Sequence, residues 1–327
     1  MLILSRSDVE RLLDPDALRE AIARAMADLS AGRVSMPLRI AAIVAERDGL
    51  LAAMPAFLPS ANALTTKLVS LFPRNTDRPT HQAVIVAFDP DNGSPAALMD
   101  GEAITAARTA AGSALATDLL ARKEAAVLAV IGTGVQARAH LRALARVRAF
   151  REVRIAGRDA AKAAALGKEA RAWLGGATIR TMTSYAQAIA GADVVAATTH
   201  SPDPVVRREW LAPGSHVNSV GYNTAGREID GATIRDALLV VESRAGTLAP
   251  PPTGSNDIAL AIAEGLVTAT HVHAELGELV SGTRPGRTDA AQITLYKSVG
   301  VAVQDAAAAA LILAAARRNG VGREVEL

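Results

Sequence analysis

From Ala125 onward the sequence cycles between short apolar runs and helical text, and this cycle restricts the fold more than any other feature. Ala126 to Ile131, Glu152 to Ala156, Ala177 to Met182, Asp193 to Thr198, His216 to Val220 and Ala237 to Val241 each read as a brief buried strand, with helical stretches or turns between them. Parallel neighbours need a crossover long enough to hold a helix, and right-handed crossovers wind such helices onto both faces of one sheet. Residues 119–297 are therefore expected to form an α/β, doubly wound parallel sheet.

The text on either side is of another kind. Ser7-x-x-Glu10 reads as a capping box, and Asp14-Pro15 as a helix cap followed by proline at the first helical position, so two helices should open the chain, the second stopping near Gly32. Between Met36 and Phe88 several alternating apolar runs are separated by turn residues, which predicts an antiparallel sheet. A helix rich in small residues follows Asp100-Gly101. A Pro/Gly-rich loop spans Ala249 to Gly254, helices follow it, and a last long helix should run from about Ser298 to Gly320. If that helix returns to the first sheet, residues 1–118 with 298–327 make a discontinuous α+β domain.

With 327 residues, two domains are the natural division. No apolar stretch is long enough to span a bilayer, and Met1 to Leu4 is too short for a signal peptide, so a soluble, cytoplasmic protein is expected. Zero cysteines exclude disulfides, thiolate nucleophiles and zinc-thiolate sites, and no metal is called for. The net charge of +2 is small, the basic residues are scattered and aromatics are scarce. Neither nucleic acid nor membrane is an expected partner.

Gly132-Thr133-Gly134-Val135-Gln136-Ala137 follows the strand ending at Ile131 and opens a helix. In that setting the first glycine permits the tight turn, the second lets backbone approach a pyrophosphate, and Ala137 takes the third position, where helix and strand lie close. The helix N-terminus then offers free N–H groups to the phosphates. This is the Rossmann pattern of a nicotinamide dinucleotide site, against the plainer reading of a structural turn. The second strand ends in Ala156-Gly157-Arg158-Asp159, where NAD-preferring sites carry an acid for the ribose hydroxyls. Gly157 has no carboxylate and Arg158 suits a 2′-phosphate, so NADP(H) is favoured over NAD(H), with Asp159 as the competing possibility.

Three basic residues stand in apolar company: Arg39 after Met36-Pro37-Leu38, Lys67 within a strand, and Arg108 on the alanine-rich helix. An isolated Arg or Lys is usually solvated or ion-paired, but Lys67 and Arg108 would be costly to bury without an anion. A substrate carboxylate would supply one.

These segments, with Gly132 to Ala137, Gly221-Tyr222-Asn223-Thr224-Ala225-Gly226-Arg227-Glu228 and Thr294-Leu295-Tyr296-Lys297-Ser298-Val299-Gly300, resemble the ornithine cyclodeaminase and mu-crystallin family over about Met36 to Asp305. The resemblance implies a homodimer whose split first domain carries the dimer contact and the substrate site. It also implies hydride transfer between a nicotinamide and the carbon that bears an amino or imino nitrogen beside a carboxylate. Arg39, Lys67 and Arg108 would then hold the carboxylate, with Lys67 also polarising the reacting centre. Thr109, Thr198, Thr199, Ser298 and Val299 would join Gly132 to Ala137, Gly157 and Arg158 at the cofactor, while His200 is as readily a loop residue. Cyclodeaminases and alanine dehydrogenases of this family carry a proton-transferring aspartate where Asn223 stands. Asn223 cannot take a proton at neutral pH, which points to reduction of a ketimine or pyrroline-2-carboxylate. The competing expectations are an ornithine cyclodeaminase-type lyase, an amino-acid dehydrogenase and a non-catalytic NADP-binding protein.

Overall fold

The computed structural model describes residues 1–326 and divides into two compact units, Met1–Arg108 with the chain from Gly300 on, and Thr109–Val299. Leu327, the last residue of the expected first domain, lies outside the described residues. The division falls inside one helix, ten residues before the expected 118/119 boundary, for a local reason given below.

The first unit starts with a strand the sequence did not announce, β1 (Leu2–Leu4), followed by α1 (Arg6–Leu12) and α2 (Pro15–Ser30). The capping box of α1 is built by Ser5 and Asp8, not by Ser7 and Glu10: Ser5 accepts from the Asp8 N–H and Asp8 reaches back to the Ser5 N–H. At α2 the expected cap is present, Asp14 accepting from the Ala17 N–H ahead of Pro15. Then come β2 (Ile40–Val44), β3 (Gly49–Leu58), β4 (Ala63–Leu71), β5 (His81–Phe88) and β6 (Pro95–Asp100), antiparallel neighbours in sequence order. Side chains alternate along β4, so Ala63, Thr65, Lys67 and Val69 point inward. Lys67 thus occupies a core position. α3 (Gly101–Leu120) carries the chain into the second unit. Its later residues belong there because Ser113 bonds His140 at 2.9 Å and Thr117 accepts from Asn218 at 2.9 Å.

The second unit runs β7 (Val127–Ile131), α4 (Val135–Leu144), β8 (Glu152–Ala156), α5 (Ala160–Ala170), β9 (Thr178–Met182), α6 (Tyr185–Ile189), β10 (Val194–Ala197), β11 (His216–Ser219), α7 (Gly231–Asp236), β12 (Leu238–Val241), α8 (Arg244–Thr247), α9 (Asn256–Ala263), β13 (Val272–Glu275), α10 (Leu276–Val280) and β14 (Thr294–Lys297). Every pairing is parallel, in the order β13-β12-β14-β11-β10-β7-β8-β9. The expected doubly wound sheet is present, with apolar clusters on its two faces. β13 and β14 replace part of the stretch read as helical. Each is four residues long and mixes polar with apolar side chains, too short to show a period, and β14 is fixed by slotting between β11 and β12.

The chain then returns to the first unit as α11 (Ala302–Asn319), which starts four residues later than expected and ends at Gly320, in the left-handed conformation. α11 lies on β3, β4 and α2. Its run Ala306 to Ala309 is fully covered, small side chains letting the helix approach the sheet closely. β15 (Arg323–Glu324) closes the sheet order β15-β1-β6-β5-β4-β3-β2.

Candidate functional site

In the second unit the turn after β7 is shaped by two glycines with different tasks. Gly132 has φ +121°, and a Cβ there would fall 2.6 Å from the Thr198 hydroxyl oxygen, so only glycine lets the chain leave β7 this close to the segment after β10. At Gly134 a Cβ would meet nothing within 4 Å. Gly134 is also the N-cap of α4, and no side chain caps that helix. Its first-turn N–H groups and the positive end of its dipole are therefore available to an anion over an open, Cβ-free surface, as a pyrophosphate requires. Thr133 lies between the two glycines, Val135 is exposed, Ala137 is buried under the turn, and the Gln136 side-chain oxygen is buried without a hydrogen-bond partner among the described residues.

β8 ends at Ala156. A Cβ on Gly157 would lie 2.5 Å from the Thr133 methyl, so this glycine makes room for the turn after β7. Arg158 is exposed, while Asp159 caps α5, accepting from the Ala161 and Lys162 N–H groups at 2.9 and 3.0 Å. Its carboxylate is thus already engaged.

Other expected residues lie at the C-terminal ends of neighbouring strands. Thr198 donates its hydroxyl to the Ile131 carbonyl at 2.8 Å. Thr199 donates both its N–H (2.6 Å) and its hydroxyl (2.9 Å) to buried Glu228. Asn223 donates to the carbonyl of exposed His200 at 2.7 Å and accepts from the Ala225 N–H at 2.8 Å, so both ends of its amide hold backbone. Ser298 and Val299 direct their hydroxyl and N–H to Glu242 at 2.9 and 2.8 Å. Thr109 is buried on α3. The hydrogen-bond donors of Ser298 and Val299, expected at the cofactor, are thus spent within the chain.

In the first unit, Lys67 on β4 and Arg108 on α3 meet at Asp305 on α11. The Lys67 ammonium lies 2.8 Å from one carboxylate oxygen and the Arg108 Nε 3.0 Å from the other, with the three side chains 3%, 6% and 1% exposed respectively. Arg108 also donates to Gln304 at 3.1 Å, and Arg39 donates to the Gly300 carbonyl at 2.8 Å. Burial pulls the Lys67 pKa down to about 8, against the pull of Asp305. Burial alone would push the Asp305 carboxyl up, but Lys67 and Arg108 hold it below its ordinary value. Nearby His81 is lowered to about 4 by burial and by the same two cations, and is neutral.

The anion that buried Lys67 and Arg108 require, expected from a substrate, is supplied by the chain itself as Asp305. Among the described residues two cations share that one carboxylate, so the cluster keeps an unbalanced positive charge. The signal for Asp305 was present, since Gln304-Asp305 precedes an alanine run and the cost of burying an unpaired charge applies to it as to Lys67. Glu228, Lys297, Asp257 and Glu242 were likewise unassigned.

A parallel sheet whose β7 leads through a turn flanked by two glycines into the uncapped helix α4 defines a dinucleotide-binding protein of the Rossmann class. The profile of the ornithine cyclodeaminase/mu-crystallin family matches residues 1–320, and the chain belongs to that family. It is 37% identical over 318 residues to the ketimine reductase mu-crystallin of Macropus fuliginosus, covering 94% of this chain and 95% of that one. The solved structure of Thermococcus litoralis Delta(1)-pyrroline-2-carboxylate reductase in complex with NADH and L-proline has a TM-score of 0.95 at 39% identity, covering 99% and 100% of the two chains. An archaeal alanine dehydrogenase dimer with bound NAD has a TM-score of 0.91 at 30% identity, covering 100% and 99%.

Proposed function

We propose that this protein is an NAD(P)H-dependent oxidoreductase acting on C–N bonds, a reductase of an α-imino acid, with cyclic ketimines such as pyrroline-2-carboxylate as its substrate class. The observation that carries this reading is the Lys67–Asp305–Arg108 cluster, buried and short of one negative charge. A substrate carboxylate balances it, and because both cations are shielded from water their hold on that carboxylate is strong. Arg39 adds a third cation from the segment before β2. Lys67, an ammonium at neutral pH, also polarises the reacting centre. The reduced nicotinamide, when bound, supplies the hydride.

Two further observations refine the reading. Asn223 uses its amide on backbone and cannot act as a base, which suits an imine that arrives already protonated from solvent. An acid-free β8 end with Arg158 exposed favours NADP(H) over NAD(H); the Thermococcus litoralis protein was solved with NADH, so both are to be assayed. A non-catalytic nucleotide binder would have no use for the cationic cluster.

The first unit also carries a homodimer contact in this reading. Edge strand β2 is exposed along its whole length, with Ile40 71% and Ile43 63% exposed and Leu38 and Leu51 close to half. An apolar open edge of this kind calls for a covering partner. Among the described residues no helix is long and apolar enough to cross a membrane, and the proposed setting is the cytoplasm.

The test is a panel of cyclic imino acids and free amino acids, followed by absorbance of the reduced nicotinamide with NADPH and NADH. Reduction of a pyrroline or piperideine carboxylate, without proline or ammonia from ornithine, is the expected outcome. Proline formed from ornithine at roughly one turnover per second or faster, a rate typical of enzymes, would replace this reading with a cyclodeaminase.

A further inference from the structure

Beneath the strand ends of the second unit lies a buried ionic network that neither the dinucleotide turn nor the cationic cluster uses. Glu228 is 2% exposed, and its carboxylate accepts four hydrogen bonds. One oxygen takes the Thr199 N–H and hydroxyl at 2.6 and 2.9 Å; the other takes the Ser219 hydroxyl at 2.8 Å and the Gly221 N–H at 2.9 Å. Lys297, at the end of β14, donates to Ser219 at 3.0 Å and to the Gly221 carbonyl at 2.8 Å, and pairs with Asp257 at 2.8 Å. Asp257 in turn accepts the Glu228 and Ile229 N–H groups at 2.8 and 3.0 Å.

The members of this network come from the segments that follow β10 and β11, from the last residues of β11 and β14, and from the start of α9. A Cβ on Gly221 would lie 2.2 Å from the Thr199 carbonyl oxygen and 2.5 Å from the Glu228 carboxylate, so the first two of these segments meet with no space to spare. In an open parallel sheet a dinucleotide lies across the strand ends where the chain changes direction. Here that point is between β7 and β10. With the phosphates at the turn after β7 and the adenosine half toward β8, the nicotinamide half falls over the segments after β10 and β11.

Resting on the nicotinamide reading above, we propose that Glu228 is a positioning residue for the nicotinamide end, tying Thr199, Ser219 and Gly221 into one rigid ledge with Lys297 and Asp257 as its anchor. Only an ionised carboxylate can satisfy four donors at once. Glutamine, its isostere, would turn an NH2 group toward two of them, loosening the ledge while leaving the turn at Gly132 to Ala137 as it is. Burial pushes the Glu228 carboxyl up, and Lys297 and the Thr199 N–H oppose that push.

The experiment compares wild type, Glu228→Gln and the milder Ser219→Ala by calorimetry against four probes: NADPH, NADH, ADP-ribose and its 2′-phosphate. The last two keep the adenosine and phosphates and lack the nicotinamide. The expected result is a tenfold or greater loss of affinity for the nicotinamide-bearing ligands in Glu228→Gln and a smaller loss in Ser219→Ala. Both ADP-ribose forms should bind within twofold of wild type. Parallel losses for all four probes, or no loss for any in the two variants, would overturn the proposal. Wild type failing to bind either ADP-ribose form would instead refute the dinucleotide site, and this inference with it.

Discussion

Lys67 gives the most demanding test, because its burial couples stability to pH with a definite sign. Its pKa falls from 10.5 to about 8 in the folded chain. At about 1.4 kcal/mol per pKa unit, the ammonium is about 3 kcal/mol worse off folded than unfolded. Between the two values the unfolded chain holds the proton and the folded chain does not, so this group makes stability rise with pH across that window. Below the folded value the penalty is present in full, and above the unfolded value it vanishes. To isolate this one group, the quantity to follow is the difference between wild type and Lys67→Met, whose side chain is of similar length and carries no charge. Urea unfolding at about pH 7.5 and about pH 10 should show wild type gaining about 2 kcal/mol on the variant. The same variant should lose turnover of the imino acid while keeping cofactor affinity. Stability differences that do not change with pH would show that Lys67 is not desolvated as described. Full catalytic efficiency in Lys67→Met would remove it from the site.

Gly134→Val places a side chain in the open space above the turn and should abolish dinucleotide binding in calorimetry while circular dichroism and melting temperature stay near wild type; unchanged affinity would displace the phosphates from this turn. Arg158→Ala should weaken NADPH about ten- to hundredfold more than NADH, the equivalent of a charge-assisted bond of about 1.5 to 3 kcal/mol, and equal losses would refute the 2′-phosphate contact.

The parallel sheet was legible because strand text and helical text alternate at βα spacing and its central strands β7 and β10 are unbroken apolar runs, and β8 was found to the residue. β13 and β14 were not, since each lies in text read as helical and takes its identity from pairing, β13 along the edge beside β12 and β14 between β11 and β12. β1 and β15, three and two residues long, are fixed by pairing of the chain ends. The basic residues of the site could be read from the cost of burying a charge. Their shared partner Asp305 could not be matched to them, because Lys67 and Asp305 stand far apart in sequence and only the return of α11 onto β4 brings them together. The Glu228 network escaped for the same reason: its donors come from three strand ends, and no local spacing announces it.

The contact between Gly157 and Thr133 limits how cofactor preference could change in this chain. An acid at the end of β8 is the usual means of favouring NAD, yet at position 157 any side chain would begin 2.5 Å from the Thr133 methyl, inside the phosphate turn. On the proposed placement of the phosphates, Gly157→Asp alone would disturb their binding while adding a ribose contact, and a stepwise path through that variant would pass through a poorer enzyme. The two positions are coupled: a smaller residue at 133 would relieve the contact that an acid at 157 creates. Arg158, exposed and free of this constraint, is where the proposed 2′-phosphate contact could be altered in a single step.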